Sequence, residues 1–411
     1  MATIGDNIAR LRRSKAMTQE QLAEHAGLAV ATVSKLERNE RTSARLDTVA
    51  RLARALGVPT TTLVGDASEA AARREPEHRP LSLIQVRQAL TPARGLAGSV
   101  ATAPAGPPPG LDAIRARLRR ADQAYHGAAY GSVLAELPEL ITDARAAAEV
   151  AQSDEHGQAH ATLSRVLHLT GSLLIQIRAG DLAHAALTAS LTAAEAAGDQ
   201  TLAAAAIKQR CWLLLRQARL AEAEALAVNT ADAVEPRMSR AEPAELAVWG
   251  WLLMTGAAAA ARDQRPGDAA EMFDAAAAAT ARLADRPIGG DHLLVLDGVR
   301  SSAVEMMRVE TAAVTGAPDR VVAMAERIRP DDGADATSWQ RHRLDVAWAC
   351  AEMGRWGDAT DVLSDLRHRA PAWLRHQRYA RDVVRTISDG RRRAMSAELA
   401  ELAELTGAAR T

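Results

Sequence analysis

The chain has 411 residues, 48% of them hydrophobic but only 3% aromatic, long enough for two or more domains with a large buried interior. Alanine is abundant and no valine- or isoleucine-rich alternating segment occurs, which favours helices over sheets. The two cysteines, Cys211 and Cys350, form no Cys-x-x-Cys pair; this excludes a disulfide framework and a thiolate metal site and fits a reducing cytoplasm. The net charge of −1 hides an asymmetry, because residues 1–66 hold ten Lys and Arg against seven Asp and Glu, a basic excess where a polyanion would bind.

The first residues, Met-Ala-Thr-Ile-Gly-Asp-Asn, are polar and charged, so no export signal is expected. Residues 4–66 read as five short amphipathic helices at 4–14, 18–26, 30–39, 47–56 and 60–64. Thr18-Gln19-Glu20-Gln21 has the spacing of a capping box, so the second helix starts at Thr18. Leu22, Ala23 and Ala26 give it an apolar face, Gly27 ends it, and Val33 and Leu36 supply the matching face of the third helix. Val49, Leu52, Ala53 and Leu56 complete a small core.

Residues 67–110 read as a linker: Pro76, Pro80, Pro92 and Pro104 precede Pro107-Pro108-Pro109-Gly110 and forbid a long helix. Within it, residues 81–90 form one short helix free to dock on either neighbour. From Leu111 to the end, helices of roughly 12 to 24 residues alternate with short breaks. Several breaks share one chemistry, Gly180-Asp181, Gly267-Asp268, Pro318-Asp319 and Gly357-Asp358, with a weaker one at Arg219-Leu220. The expectation is a hairpin corner at each, with glycine left-handed and aspartate capping the next helix. Corners every ~40 to 50 residues describe a stacked array of helical hairpins. The nearly apolar run 246–261 falls short of the roughly 18 to 20 residues that span a bilayer and is expected to be a buried helix, so no membrane partner is expected.

The residues Thr18-Gln19-Glu20-Gln21-Leu22-Ala23, Gly27 and Thr32-Val33-Ser34-Lys35-Leu36-Glu37-Arg38 resemble the XRE-type, phage-repressor-like helix-turn-helix proteins. The resemblance implies that the third helix enters the major groove of a double-stranded operator, that Gln19, with Thr18 at the helix start, holds a phosphate, and that Arg12 and Glu37 form a buried structural ion pair. On the third helix Val30, Ala31, Ser34, Lys35 and Arg38 point away from the apolar face. Lys35 suits guanine O6 and N7, Ser34 serves either base, and Val30 or Ala31 suits a thymine methyl. Arg38, Arg41 and Arg45 suit phosphates better than base edges. Ala29 stands where the family commonly has a serine or threonine cap, which costs about 1 kcal/mol, and Val30 replaces the family's polar reader. Few polar readers remain, so dimer spacing and DNA shape are expected to carry specificity.

The segments beginning Gly180-Asp181 and Gly357-Asp358 are similar to the second helix of a tetratricopeptide repeat, although the regular period is not kept. The resulting expectation is an all-α chain: a five-helix helix-turn-helix domain at 1–66, a linker at 67–110, and a tetratricopeptide-like α-solenoid at 111–411 that senses or dimerises. On its helices polar rows recur at i, i+4 spacing. They are His160, Ser164, His168, Ser172 and Gln176; Gln209, Trp212 and Arg216; Ser301, Glu305, Arg308 and Thr315; and Arg341, Asp345, Trp348 and Glu352. If these helices are the first of successive hairpins, the rows share one wall and form a groove for a small molecule, peptide or protein partner. The alternative is a solvated face with local pairs such as Glu305 with Arg308. Most of the seven tryptophans, all beyond residue 200, are expected in the core.

Peptide-pheromone receptors of the RRNPP family pair the same two domain types but clamp peptide backbone with asparagines; this repeat region has one, Asn229, which counts against that mode. No Gly-x-Gly-x-x-Gly, P-loop, His-Glu-x-x-His or Gly-x-Ser-x-Gly occurs, so no enzyme, cofactor or metal is expected. Gly289-Gly290-Asp291-His292 is read as a loop, and Arg391-Arg392-Arg393 as the flank of a terminal helix. The expected function is a dimeric DNA-binding regulator, with a protein-interaction scaffold as the alternative.

Overall fold

The computed structural model describes residues 4–15, 17–38, 46–58, 63, 83–93, 107–263, 265–283, 288, 296, 300–329, 336–390 and 396–408. Among them are twenty helices and no strand, so the chain is all-α. It divides into two compact units, Met1–Arg87 and Gln88–Thr411.

The first unit contains α1 (Ile4–Ser14), α2 (Gln19–Ala26), α3 (Val30–Glu37) and α4 (Leu46–Ala55). The capping box is formed: the Gln21 N–H donates to Thr18 Oγ1 at 3.2 Å and the Thr18 N–H to Gln21 Oε1 at 2.8 Å. Gly27 closes α2 at φ +63°, a left-handed turn that sends the chain straight into α3. Ala29 precedes α3 without a side-chain cap. Ile8, Leu22, Val33, Leu36, Leu52 and Leu56 are fully buried together. The side chain of Val49 and the expected helix at 60–64 lie outside the described residues, apart from Leu63, which is buried and accepts a hydrogen bond from Asn7 Nδ2 at 3.1 Å.

One polar clamp crosses this core. Arg12 reaches Glu37 with two parallel bonds, Nε to Oε1 at 2.7 Å and Nη2 to Oε2 at 2.9 Å, and donates Nη1 to the Met17 carbonyl at 2.8 Å. Gln19 Nε2 adds a bond to Glu37 Oε2 at 2.7 Å. The end of α1, the start of α2 and the end of α3 therefore meet on one carboxylate. Burial raises the Glu37 carboxyl, but the hydrogen bonds from Arg12 and Gln19 outweigh it and leave it below its ordinary value.

The second unit takes in α5 (Ile84–Leu90), within which the division between the units falls. The Ala89 and Leu90 carbonyls accept from the Arg145 guanidinium at 2.5 and 3.3 Å. Six hairpins follow: α6 (Leu111–His126) with α7 (Tyr130–Val150), α8 (His156–Gln176) with α9 (Gly180–Ala197), α10 (Gln200–Arg216) with α11 (Leu220–Ala233), α12 (Pro243–Arg262) with α13 (Pro266–Ala281), α14 (Ser301–Val314) with α15 (Pro318–Ala325), and α16 (Ala336–Glu352) with α17 (Trp356–Arg369). The unit closes with α18 (Pro371–Arg375), α19 (Arg378–Gly390) and α20 (Ala397–Thr406). Each hairpin packs on the next. Within a hairpin small side chains allow a close approach: Gly171 of α8 lies where an added Cβ would meet Leu187 of α9 at 2.5 Å. Helix α12 is long and apolar enough, by length and composition, to cross a membrane, yet most of it is buried against α10, α11, α13 and α14.

The hairpin corners repeat one hydrogen bond. The N–H before each second helix donates five residues back: Ala129 to Ala124 (2.8 Å), Ala179 to Leu174 (2.8 Å), Arg219 to Leu214 (3.0 Å), Arg265 to Ala260 (2.9 Å), Ala317 to Ala312 (2.9 Å) and Arg355 to Cys350 (2.8 Å). The left-handed residue is the one before that donor, as Ala128, Arg178, Ala218, Gly316 and Gly354. This corrects the sequence expectation. Gly180, Gly267 and Gly357 lie inside the first turn of the second helix, and Asp181, Asp268, Asp319 and Asp358 sit in that turn as charges favouring the helix dipole, not as caps. Arg265 pairs with Asp268 at 2.7 Å and Arg355 with Asp358 at 2.6 Å. Asp199, by contrast, is a true cap, accepting the Leu202 N–H at 2.9 Å.

Two predictions follow from these features. Glu37→Gln is expected to destabilise the first unit by about 2 to 3 kcal/mol, read as faster amide exchange in α1–α3 of the full chain. Because the folded carboxyl is depressed, its contribution is complete above the unfolded value of roughly 4.3 and is lost as pH falls further; the difference from wild type should vanish in acid. At the corners, Ala218→Gly should stabilise the second unit and Gly354→Ala destabilise it, each by about 1 kcal/mol, in urea unfolding.

Candidate functional site

Helix α3 turns Val33 and Leu36 into the core and leaves the opposite side open. Val30 is 40% exposed, Ala31, Lys35 and Arg38 are exposed, and Ser34 is half-buried. These five residues form one continuous face, carrying an ammonium and a hydroxyl between two small apolar groups, with a guanidinium at its end. Thr18 is exposed and its hydroxyl oxygen accepts the cap bond. Gln19 is half-buried with its amide on Glu37, so it braces the start of α2 against the end of α3. Arg41 and Arg45 lie outside the described residues.

The second unit holds a cavity of about 1080 Å³, part of it open to solvent. Every lining residue comes from the first helix of a hairpin: Tyr125 and Asp122 from α6, His168 and Gln176 from α8, Lys208, Gln209 and Trp212 from α10, Trp251 and Thr255 from α12, Met306 and Glu310 from α14, and Arg341, His342 and Asp345 from α16. The structure thus brings together His168, Gln209, Trp212 and Asp345 of the residues expected to hold a ligand.

The others go elsewhere. Ser164 bonds the Ser190 carbonyl at 2.9 Å while Ser190 returns a bond to the Ser164 carbonyl at 2.9 Å, a packing contact between α8 and α9. His160 lies against the His156 ring, centroids 4.3 Å apart. Glu305 is exposed, and Arg308 bonds Asp274 at 2.7 Å over the Phe273 ring. Trp348 packs with Val309, Ala312 and Val321. Arg216, one helical turn beyond Trp212, does not line the wall but lies close enough to Arg341, Glu310 and Tyr125 to feel their charges. Sequence reasoning missed Glu310, Lys208, Trp251, His342 and Tyr125 as site residues. Glu310 had a signal, a lone carboxylate on the apolar stripe of Ala303, Met306 and Met307.

Burial dominates the electrostatics. It pushes the His168 imidazole down to about 3, with Lys208 adding to the effect, and His342 down to about 4, with Arg343 adding. Both rings are therefore neutral near pH 7. Glu310 is buried too, but Arg262, which pairs with it directly, and Arg341 at 3.7 Å hold its carboxyl below the ordinary value. Burial and then the Glu310 charge push Asp345 well above that range, favouring its protonated, donating form. Burial, Arg341 and Arg178 draw Arg216 down to about 10. Arg341 lies over the Trp212 ring at 5.0 Å and Lys208 over Trp251 at 4.8 Å. Among the described residues no cluster of side chains has the makings of a metal site, and Gly289-Gly290-Asp291-His292 and Arg391-Arg392-Arg393 lie outside them.

The helix-turn-helix family profile matches residues 8–63. Over 67 residues the chain is 36% identical to an uncharacterized HTH-type transcriptional regulator, RghRB, of Bacillus subtilis, covering 16% of this chain and 48% of that protein. Over 66 residues it is 41% identical to an uncharacterized HTH-type transcriptional regulator, y4dJ, of Sinorhizobium fredii, covering 16% of this chain and 84% of that protein. The chain thus spans about half the length of the first relative, and no solved structure matches it. With the capping box, the Gly27 turn and the open face of α3 all inside the matched segment, the chain belongs to the HTH-type family of transcriptional regulators.

Proposed function

We propose that this protein is a sequence-specific, dimeric DNA-binding regulator whose α3 reads the major groove and whose DNA binding is modulated by a ligand in the cavity of the second unit. The observation that carries the reading is the open face of α3, with Lys35 and Ser34 between Val30 and Ala31, on a helix locked to α1 and α2 by Arg12, Glu37 and Gln19. Lys35 donates to guanine O6 and N7, and Val30 and Ala31 contact a thymine methyl. Thr18, Gln19 through its second amide proton, Arg38, Arg41 and Arg45 engage phosphates.

Two polar readers on one short helix give little discrimination, so a second copy reading the other half-site supplies the rest. The hairpin array is read as tetratricopeptide-like, supported by its six equivalent corners, and the wall built from first helices supports an effector site. Acting on DNA, the protein works in the cytoplasm and needs neither catalysis nor a cofactor.

Lys35→Ala should weaken binding to the best genomic site by about tenfold or more and relax selectivity at one base position. Arg38→Ala should weaken all sequences alike and lower the salt slope by about one. Unchanged binding of the Lys35→Ala protein to that site would overturn the assigned reading face.

A further inference from the structure

Four polar atoms buried on the cavity wall have no partner among the described residues: Gln176 Oε1, Trp251 Nε1, His342 Nδ1 and Asp345 Oδ2. Gln176, His342 and Asp345 are 5%, 2% and 3% exposed. Leaving such atoms unpaired is costly, and all four belong to residues that line one cavity. The wall is set for an occupant that is partly flat and apolar, with hydrogen-bonding groups at its edge.

The charges say which sign it carries. Glu310 faces Arg262, Arg341 and Arg216, and Arg262 already pairs with it directly. Arg341 is 3.7 Å away, and Arg216 has no ion pair or hydrogen bond among the described residues. Lys208, over Trp251, adds a further cation. Of the other two wall carboxylates, Asp122 has His126 3.6 Å away, and burial followed by the Glu310 charge favours the neutral form of Asp345. A cationic ligand would meet guanidinium groups around a carboxylate already paired; an anion would complete them.

We propose that the cavity binds a small organic anion with a flat aromatic body, its carboxylate or equivalent group at Arg341 and Lys208 and its ring against Trp212, Trp251 and Met306. The edge groups of the ligand meet Gln176, His342 and Asp345. This assignment rests on reading the second unit as the effector domain, and it names the effector's chemical class.

The test is calorimetric titration of the full chain with three probes of one shape, indole-3-acetate, indole-3-acetamide and tryptamine. The carboxylate is expected to bind about tenfold or more tighter than the amide, and the amine more weakly still. Arg341→Gln should abolish the preference while Arg219→Gln, on the exposed surface, keeps it. Should Arg341→Gln fail to fold, Lys208→Gln replaces it, as the second cation on the wall. Equal affinity for all three probes, tighter binding of the amine, or a preference that survives both cavity substitutions overturns the proposal. So does the absence of binding by both indole-3-acetate and 8-anilino-1-naphthalenesulfonate at millimolar concentration. Anion binding that leaves operator affinity unchanged upholds the site and overturns the effector reading instead.

Discussion

The corner hydrogen bond, from the N–H before each second helix to a carbonyl five residues back, constrains the second unit more than any other interaction. At the five corners whose preceding residue is described, one left-handed residue comes before the donor, so the chain turns there in the same way each time. Repeated along the array, that turn goes with a set of first helices that together line one cavity. The cavity is a consequence: it is lined only by first helices because no other helices can reach it. The alanine content serves the same end, since small side chains let successive helices approach closely enough to keep the rows in register.

An array held only by neighbour contacts would be soft along its length. The Glu310 cluster stiffens it. Arg262 ends α12, Glu310 lies near the end of α14, and Arg341 lies on α16, so one carboxylate ties three successive first helices. Taking that carboxylate out of water is costly, and only close guanidinium partners offset the cost. Burial drives Asp345 toward its neutral form, and the Glu310 charge adds to it, because two buried carboxylates cannot both ionise readily within reach of each other. Structural stiffness and the gathering of guanidinium groups around Glu310 therefore have one origin.

How much of this was legible depended on the range of the interactions. The Thr18–Gln21 box and the Gly27 turn were readable because their partners are a few residues apart, and Arg12 with Glu37 came through family resemblance alone. The corners were placed within about two residues, but their left-handed residues were misassigned. Arg178 and Ala218 adopt that conformation because the backbone bond across the corner imposes it, against their own preference. Polar rows on α8, α10 and α16 pointed at the cavity since their i, i+4 spacing follows one face. On α14 the same rule failed: the row of Glu305 and Arg308 faces α13 and solvent, while the wall is the apolar stripe of Ala303, Met306 and Met307 with Glu310 at its end. Ser164 shows the other failure, a polar row member consumed by helix packing.

The geometry of the wall also sets what an effector in the proposed regulator has to do. A ligand shifts an equilibrium only through different affinities for the two states. Its wall runs from Tyr125 on the first hairpin to Asp345 on the sixth, so an occupant touching both ends is sensitive to any change in the rotation between successive hairpins, summed over the whole array. A ligand held by a single helix would lack that leverage. On the reading side of that proposed regulator, α3 offers few polar contacts, so discrimination would depend on how two copies were spaced over their half-sites. In the proposed regulator, a domain that converted small rotations into a change of length or twist would act on that spacing, the variable to which a sparse reader is most sensitive.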